Sequence, residues 1–172
     1  MNFVTREIRQ SDSLTDAEKE KLFGWGVDIF GADDLNLRWR PKDVHFLMDV
    51  DGQTVSHVGV LKHEISVGGQ LVTVGGVGGV VTLPAFQKNG YARELMLHAA
   101  EFLKKWQVDA GLLFCLRRRV PYYESQGWLV IEGPVMVEQP SGGIVMPLEV
   151  MVLPLSKASW PDGEVQLNSF PW

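Results

Sequence analysis

The sequence has little of what marks several common protein classes. It contains one cysteine, Cys115, which excludes an intramolecular disulfide and a cysteine-based metal site, so a reducing, cytoplasmic location is expected. Lys and Arg number 16 against 21 Asp and Glu, and the formal net charge of −5 argues against a nucleic-acid partner. Residues 1–7 show no basic stretch leading into a long apolar core, so no secretory signal is predicted.

The sequence also lacks a hydrophobic run suited to a membrane. The longest uncharged stretch, residues 65–87, includes six glycines and Pro84, which suit a turn followed by a buried strand better than an apolar helix. No internal repeat or low-complexity linker is present. The 172 residues are the size of one domain with its own core, so we predict a single domain over residues 1–172 and no membrane partner.

What is present is a succession of strand and helix patterns typical of an α/β fold with a mixed, mostly antiparallel twisted sheet flanked by helices. Asp51-Gly52 and Gly68-Gly69 predict tight turns between antiparallel strands, and the helix at 90–105 predicts a crossover to a buried parallel strand. The predicted strands are 3–8, 45–50, 54–66, 70–83, 110–115, 128–137 and 144–154. The predicted helices start at Ser13 or Thr15 and run to 25, then 90–105 and 120–126, with an irregular segment at 29–42 and a turn-rich tail at 160–172.

One segment carries a candidate binding site. Residues 80–93 predict the end of a strand, a loop, and a helix that begins at Gly90. This geometry points unpaired N–H groups and the positive end of the helix dipole at one place, which suits a phosphate or pyrophosphate. Gly90 has no side chain to block an anion, and Lys88 and Arg93 add positive charge. The alternative is that Gly90 only starts the helix, since neither Gly-Lys-Ser/Thr nor G-x-G-x-x-G is present.

Two motifs resemble those of a known family. Residues 87–92, Gln-Lys-Asn-Gly-Tyr-Ala, resemble the Q/R-x-x-G-x-G/A signature of the GNAT superfamily of N-acetyltransferases, and residues 122–128 resemble its Y-E-x-x-G-F segment. The resemblance extends over residues 54–154. It implies acetyl-CoA as the acyl donor, bound where the sheet splays near its centre, with no metal. The cofactor-binding residues it implies are Val80, Val81, Thr82, Gln87, Lys88, Asn89, Gly90, Tyr91, Ala92 and Arg93.

The resemblance also implies how these parts act. The main chain of residues 80–82 would pair with the pantetheine arm as an added strand would, and would polarise the thioester carbonyl. Tyr123 matches the tyrosine that protonates the departing thiolate, a role that suits a phenol. The alternative for Tyr123 is a packed aromatic side chain on a short helix.

The acceptor side resembles one branch of this superfamily, the aminoglycoside 2′-N-acetyltransferases, and more remotely the nodulation N-acyltransferases. The resemblance rests on residues 56–60, 127–134, 152–154 and a tail that ends in Trp172. A glutamate that those aminoglycoside enzymes carry falls here on Gly78, so aminoglycoside acetylation is not carried over. This resemblance implies Trp172 as a substrate-binding residue. Asp33 and Asp34, in the segment expected to form the acceptor wall, are the other candidates, and the alternative for them is a pair of solvated loop acids.

The base that deprotonates the acceptor stays open among Asp33, Asp34, His57, His63 and the Trp172 carboxylate. His57 lies between apolar residues, where a hydrogen-bonded structural histidine is the commoner finding. For Arg117, Arg118 and Arg119, an exposed charge run is weighed against a site that attracts an anionic acceptor or a CoA phosphate.

These patterns together predict an acetyl-CoA-dependent N-acetyltransferase that acts on a primary amine of a small molecule. Two alternatives remain. One is a protein N-acetyltransferase that modifies a lysine or an N-terminus, and the other is a non-catalytic CoA-binding sensory domain. The identity of the acceptor is not predicted, and a homodimer is left open.

Overall fold

The computed structural model describes residues 3–172, and its secondary structure follows the predicted order with a few exceptions. The strands are β1 Arg6–Ser11, β2 Val44–Val50, β3 Gln53–Val67, β4 Gln70–Thr82, β5 Ala110–Cys115, β6 Leu129–Val130, β7 Val135–Gln139, β8 Gly142–Val145, β9 Glu149–Pro154 and β10 Val165–Gln166. The α-helices are α1 Asp16–Phe23, α2 Tyr91–Lys105 and α3 Val120–Glu124. Single 3-10 turns occupy Asp33–Leu35, Pro84–Phe86 and Arg117–Arg119.

All of these strands belong to one mixed sheet, as predicted. Its main path runs β6-β9-β5-β4-β3-β10-β7-β8, and β2 pairs with β3 off this path and carries β1 on its other edge. The pairs are antiparallel except β4 with β5 and β10 with β7. The parallel β4–β5 pair is the one expected from the helical crossover through α2.

The two predicted hairpin turns are confirmed by their backbone conformation. Asp51 and Gly52 have φ of 49° and 77°, and Gly68 and Gly69 have φ of 56° and 82°. Two consecutive residues at positive φ match the right-handed twist of the flanking strands, which is why such short turns favour Asp-Gly and Gly-Gly. The β2–β3–β4 unit is therefore encoded locally.

The two longest helices, α1 and α2, pack on different parts of the sheet. Helix α2 buries Leu95, Met96, Ala99 and Leu103, which recur on one face at helical spacing, as the sequence predicted. Helix α1 begins with a capping box in which Thr15 and Glu18 bond each other's main-chain N–H, and it buries Leu22 against a cluster that includes β2 and β4 residues. Across residues 3–172, no helix is both long and apolar enough to cross a membrane.

The predicted boundaries of β1, α1 and α3 differ from those in the structure by two or three residues. The first strand lies at Arg6–Ser11 rather than 3–8, because its pairing is set by β2, with Arg6 opposite Val50. Helix α1 ends at Phe23, where Gly24 caps it, two residues before the predicted end. Helix α3 ends at Glu124 rather than 126.

The predicted strands at 128–137 and 144–154 are wrong as continuous strands. Gly133 adopts φ 90° and precedes a proline, so the first splits into β6 and β7. The second splits into β8 and β9 around Pro147, which has no N–H to donate. The tail at 160–172 is also less irregular than predicted, since β10 pairs with both β3 and β7.

Candidate active site

A cavity of about 1190 Å³ opens where β4 and β5 separate. The two strands pair only between Val74–Gly76 and Ala110–Leu112. Beyond that point, residues 77–82 of β4 and 113–115 of β5 line the cavity from opposite sides. The splay that the resemblance implied is therefore present near the centre of the sheet.

A bulge in β4 helps to create this opening. His57 of β3 pairs with Val81, whereas Gly59 pairs with Gly78, so β4 carries one extra residue between these pairs. Gly79 lies in the extra segment at φ 61°, a conformation that glycine adopts without strain. Such a bulge bends the strand and interrupts the ladder, which accounts for the irregular edge that β4 presents here.

The loop after β4 folds back on itself and leaves its outer surface open. Gln87 Nε2 donates to the Thr82 carbonyl at 3.1 Å, and Asn89 Nδ2 donates to the Phe86 carbonyl at 2.9 Å. Gly90 caps α2 at φ 79° with no side-chain cap, and a Cβ placed there would meet nothing within 4 Å. The first N–H groups of α2 are therefore free to bind an anion.

Most of the predicted loop residues reach the cavity, but not all. Gln87, Lys88 and the residues from Gly90 to Arg93 line it, together with residues 80–82. Asn89 does not line the cavity, and its amide instead fixes the loop from behind. Asn89 therefore stabilises the loop and does not contact the cavity.

The charge of the cavity is opposite to that of the whole chain. Apart from histidine, cysteine and tyrosine, the cavity is lined by one acidic side chain, Asp33, and by five basic ones. The basic side chains are Lys19, Lys42, Lys88, Arg93 and Arg119. The chain as a whole carries a formal net charge of −5. A cleft lined by one sign of charge raises the local concentration of oppositely charged ligands, so this cavity favours an anionic ligand.

Tyr123 lies on α3 and lines the cavity with 8% of its surface exposed. It packs edge-on against Trp128 at 6.4 Å between ring centroids. Burial raises the pKa of Tyr123 well above that of a solvent-exposed phenol. The hydroxyl therefore stays protonated near neutral pH and is able to act only as a proton donor.

Two histidines form a hydrogen-bonded pair beside the bulge. His57, of which 1% is exposed, places Nδ1 at 2.6 Å from the Gly79 carbonyl and Nε2 at 2.8 Å from His45 Nδ1. Burial lowers the pKa of His57 to about 4, and it also lowers that of His45. Both rings line the cavity and are neutral near pH 7. His57 is thus hydrogen-bonded on both nitrogens, as a structural histidine would be.

Lys42 runs across the floor of the same region. A Cβ on Gly59 would lie 2.7 Å from Lys42 Cγ, and a Cβ on Gly78 would lie 2.7 Å from Lys42 Cε. No ion pair formed within residues 3–172 includes Lys42. Burial lowers the pKa of Lys42 from 10.5 to about 8.

The predicted substrate-binding residues divide between the cavity and its surroundings. Asp33 lines the cavity, whereas its neighbour Asp34 in the same 3-10 turn does not. Trp172 lines the cavity as well, although only 2% of it is exposed, and it donates its Nε1–H to the Leu112 carbonyl at 3.2 Å. Its indole ring packs in the core beside Phe114, and its main-chain carbonyl lies next to Gly78.

The surroundings of Gly78 explain why position 78 has no side chain. A Cβ at this position would lie 2.7 Å from Lys42 Cε and 3.1 Å from the main-chain carbon of Trp172. A side chain at this position would displace the end of Lys42 and crowd the main chain at Trp172. Glycine therefore allows three separate segments to pack together here.

Other candidates from the sequence lie elsewhere or are inert. His63 bonds Arg40 and the Leu167 carbonyl outside the cavity lining. Of the three consecutive arginines, only Arg119 reaches the cavity. Burial raises the pKa of Cys115 to about 11, so its thiol is not a nucleophile near neutral pH. Within residues 3–172, no cluster of three or more His, Cys, Asp or Glu side chains is placed to hold a metal ion.

Sequence reasoning missed Lys42 and His45. Lys42 lies just before β2 and His45 lies at its start, in a stretch with no motif around them. The only available signal was that two histidines, His45 and His57, flank one predicted hairpin. The two rings come into contact because of a register shift within that hairpin. The residue pattern does not predict this shift.

Comparison with known proteins places this fold in one family. The sequence profile of the family described as Acetyltransferase (GNAT) domain matches residues 23–131, which is more than half of the chain. The chain therefore belongs to the GNAT acetyltransferase family. No curated protein sequence matches the chain.

Solved structures share the fold at low sequence identity. The GNAT family N-acetyltransferase YhbS from Escherichia coli, in complex with CoA, matches with a TM-score of 0.64 and 15% identity over 98% of this chain and 92% of its own. A GNAT family acetyltransferase from Brucella melitensis, in complex with acetyl-CoA, matches with a TM-score of 0.56 and 17% identity over 94% of each chain.

Some relatives are much longer. A GCN5-related N-acetyltransferase from Kribbella flavida matches with a TM-score of 0.53 and 18% identity, over 73% of this chain and 34% of its own. The chain thus spans about a third of the length of that protein, and about a third of a matched structure from Enterococcus faecalis V583.

Proposed function

We propose that this protein transfers an acetyl group from acetyl-CoA to a primary amine of a small molecule. The observation that carries the proposal is the arrangement around Gly90. An open, uncapped helix N-terminus lies beside the separated edge of β4, and both face one basic cavity. A pyrophosphate and an extended thioester arm need these two features at neighbouring places.

The residues present fit the CoA moiety. The loop offers main-chain N–H groups at residues 90–93, and Lys88 and Arg93 supply positive charge next to them. Gly90 leaves open space where an anion has to approach the backbone. The unpaired side of residues 80–82 is available to the amide groups of the pantetheine arm, in the manner of an added strand.

Tyr123 is proposed as the general acid. Its phenol lies in the cavity and is held in the protonated form by burial, so it has a proton to give when negative charge develops on the leaving sulfur. The alternative role, a packed aromatic side chain, is compatible with the same burial. Activity of the Phe variant distinguishes the two.

The acceptor end of the cavity favours a small molecule. It is lined by residues of the segment 29–42, including Asp33, and by Trp172. Asp33 is proposed to bind the amine, and Asp34 lies outside the lining. An aminoglycoside is the weakest of the small-molecule acceptors proposed, because Gly78 stands where that branch has its glutamate.

Binding is tested first by isothermal titration calorimetry with acetyl-CoA and CoA. Gly90→Val is expected to abolish binding, because its side chain fills the open space over the loop. Gly142→Val is the matched control: Gly142 also has positive φ, 119°, and open space around its Cβ, but it lies outside the cavity. Unchanged affinity in Gly90→Val would show that the loop does not hold the pyrophosphate.

Catalysis is tested by release of free thiol across polyamines, amino acids and aminoglycosides, with a lysine-containing peptide as the protein-type acceptor. Tyr123→Phe is expected to lower the rate more than Tyr122→Phe, which removes the adjacent phenol. Acetylation of the peptide alone would favour the protein acetyltransferase. Binding of acetyl-CoA with no turnover on any amine would favour the non-catalytic sensor.

A further inference from the structure

We infer that His45 is the general base of the reaction, accepting the proton of the acceptor amine at Nε2, and that His57 is the positioning residue that fixes its tautomer. The inference rests on the proposed function. It adds a catalytic residue that none of the sequence motifs indicated.

His57 carries its proton on Nδ1. Its Nδ1 lies 2.6 Å from the Gly79 carbonyl oxygen, which has lone pairs and no proton. Nδ1 must therefore be the donor, and it carries the hydrogen. Because burial keeps the pKa of His57 near 4, the ring is neutral at physiological pH, and its Nε2 carries no proton.

The tautomer of His57 also determines that of His45. Its Nδ1 lies 2.8 Å from the bare Nε2 of His57, so His45 Nδ1 must donate in this bond. The pKa of His45 is also lowered, mainly by burial, and this ring is neutral as well. One proton on Nδ1 leaves Nε2 of His45 unprotonated. A single carbonyl in β4 thus determines the tautomers of two rings.

His45 is half-buried and lines the cavity, and its Nδ1 is already bonded to His57. No hydrogen bond formed within residues 3–172 uses its Nε2. This nitrogen is therefore the one available to a ligand in the cavity. His57 has both nitrogens bonded and cannot take this role itself.

The charges around His45 set the pH range in which it accepts a proton. Lys42 and Lys19 lower its pKa, while Glu18 and Asp43 raise it, and burial is the largest influence. These groups come from α1 and from the segment before β2, and the remaining titratable neighbour is His57 on β3. The net direction is downward, so His45 is an unprotonated base at pH 7.

The proton balance is simple for an amine that enters neutral. Its nitrogen forms a bond to the thioester carbonyl carbon and passes one proton to His45 Nε2. The carbon–sulfur bond then breaks, and the leaving sulfur takes the proton of Tyr123. Solvent returns the proton from the imidazolium to the phenolate, so one amide and one thiol are formed. The imidazolium keeps its Nδ1–H bond to His57 throughout.

The kinetic test uses His45→Gln, with the acceptor found in the thiol-release screen. The value of kcat is expected to fall roughly 10²- to 10⁴-fold, and the acidic limb of the pH profile of kcat/KM is expected to disappear. Binding of acetyl-CoA should persist. His98→Gln is the matched control, because His98 lies on α2 outside the cavity lining. A wild-type rate and pH profile in His45→Gln would overturn the inference.

The second test does not depend on activity. Long-range ¹⁵N–¹H NMR of the labelled whole protein identifies which ring nitrogens carry protons. We expect His57 Nδ1 protonated and His45 Nε2 bare at pH 7, and loss of the single His45 tautomer in His57→Asn. A protonated His45 Nε2 at pH 7 would overturn the inference. If the wild-type protein neither binds acetyl-CoA nor releases thiol, the proposed function is wrong. The catalytic role of His45 is then wrong as well, because it depends on that function.

Discussion

Replacing Lys42 by methionine is expected to stabilise the protein at neutral pH. The side chain is held in the cavity floor without an ion-pair partner among residues 3–172, and burial lowers its pKa from 10.5 to about 8. At about 1.4 kcal/mol for each unit of pKa, the charged amine costs about 3 kcal/mol of folding free energy at pH 7. Methionine keeps the length of the stem that crosses Gly59 and Gly78 and removes the charge.

The sign of the pH dependence follows from the lowered pKa. Below pH 8, Lys42 is charged in both the folded and the unfolded chain, and the full cost applies. Between about pH 8 and 10.5, the folded protein has lost the proton while the unfolded chain still holds it. The stability of wild type should therefore rise relative to Lys42→Met over this range, and the difference between the two should shrink toward zero.

Urea unfolding of both proteins at pH 7, 8.5 and 10 measures this difference, and changes in other groups cancel because both proteins share them. Lys157→Met, at an exposed position, is the control and should show no pH-dependent difference. A stabilisation below about 1 kcal/mol at pH 7, or one that does not vary with pH, would refute the reasoning. It would mean that solvent or an acidic group already compensates the amine.

Three further predictions concern other parts of the molecule. Thr15→Ala removes the side-chain cap of α1 and should lower the free energy of unfolding in urea by about 1 kcal/mol. Gly76→Ala places a Cβ against the indole ring of Trp172 and should lower it by about 1–3 kcal/mol, with a change in tryptophan fluorescence. Cys115, which is buried and has a raised pKa, should resist iodoacetamide in the folded protein and react after unfolding, as read by mass spectrometry.

Each of these predictions has a contrary outcome. Wild-type unfolding of Thr15→Ala would show that the cap contributes nothing to α1. An unchanged Gly76→Ala would mean that the indole is able to move away from β4. Rapid labelling of native Cys115 would show that the reagent reaches the thiol, for example through the cavity that Cys115 lines.

Local signals predicted much of the fold. The paired positive-φ residues at Asp51-Gly52 and Gly68-Gly69 act within their own turns, so no distant contact was needed to recognise them. The amphipathic face of α2 is likewise a property of consecutive residues. By contrast, β10 forms because it pairs with both β3 and β7. A two-residue strand is too short for its sequence to predict that pairing.

The candidate site was predictable to the same extent. The loop at Gly90 is a local motif, and so is the segment that carries Tyr123. The histidine pair arises from a bulge at Val55, where Met48 pairs with Ser56 and Asp49 pairs with Thr54. A hairpin without this extra residue would place His57 opposite Phe46 and on the other face from His45. Because a bulge leaves no periodic signal, the pattern alone could not place these rings together.

The position of Trp172 has a consequence for synthesis on the ribosome. Its indole ring covers Gly76 in the middle of β4, and β10 lies between β3 and β7, although these residues are made almost a hundred positions after β4. A nascent chain that has released residues 70–82 cannot finish its core until residues 165–172 have also emerged. During that interval, the glycine- and valine-rich centre of β4 lacks its final cover. A growing chain of this protein is therefore most exposed to aggregation and to chaperone binding through its central strand.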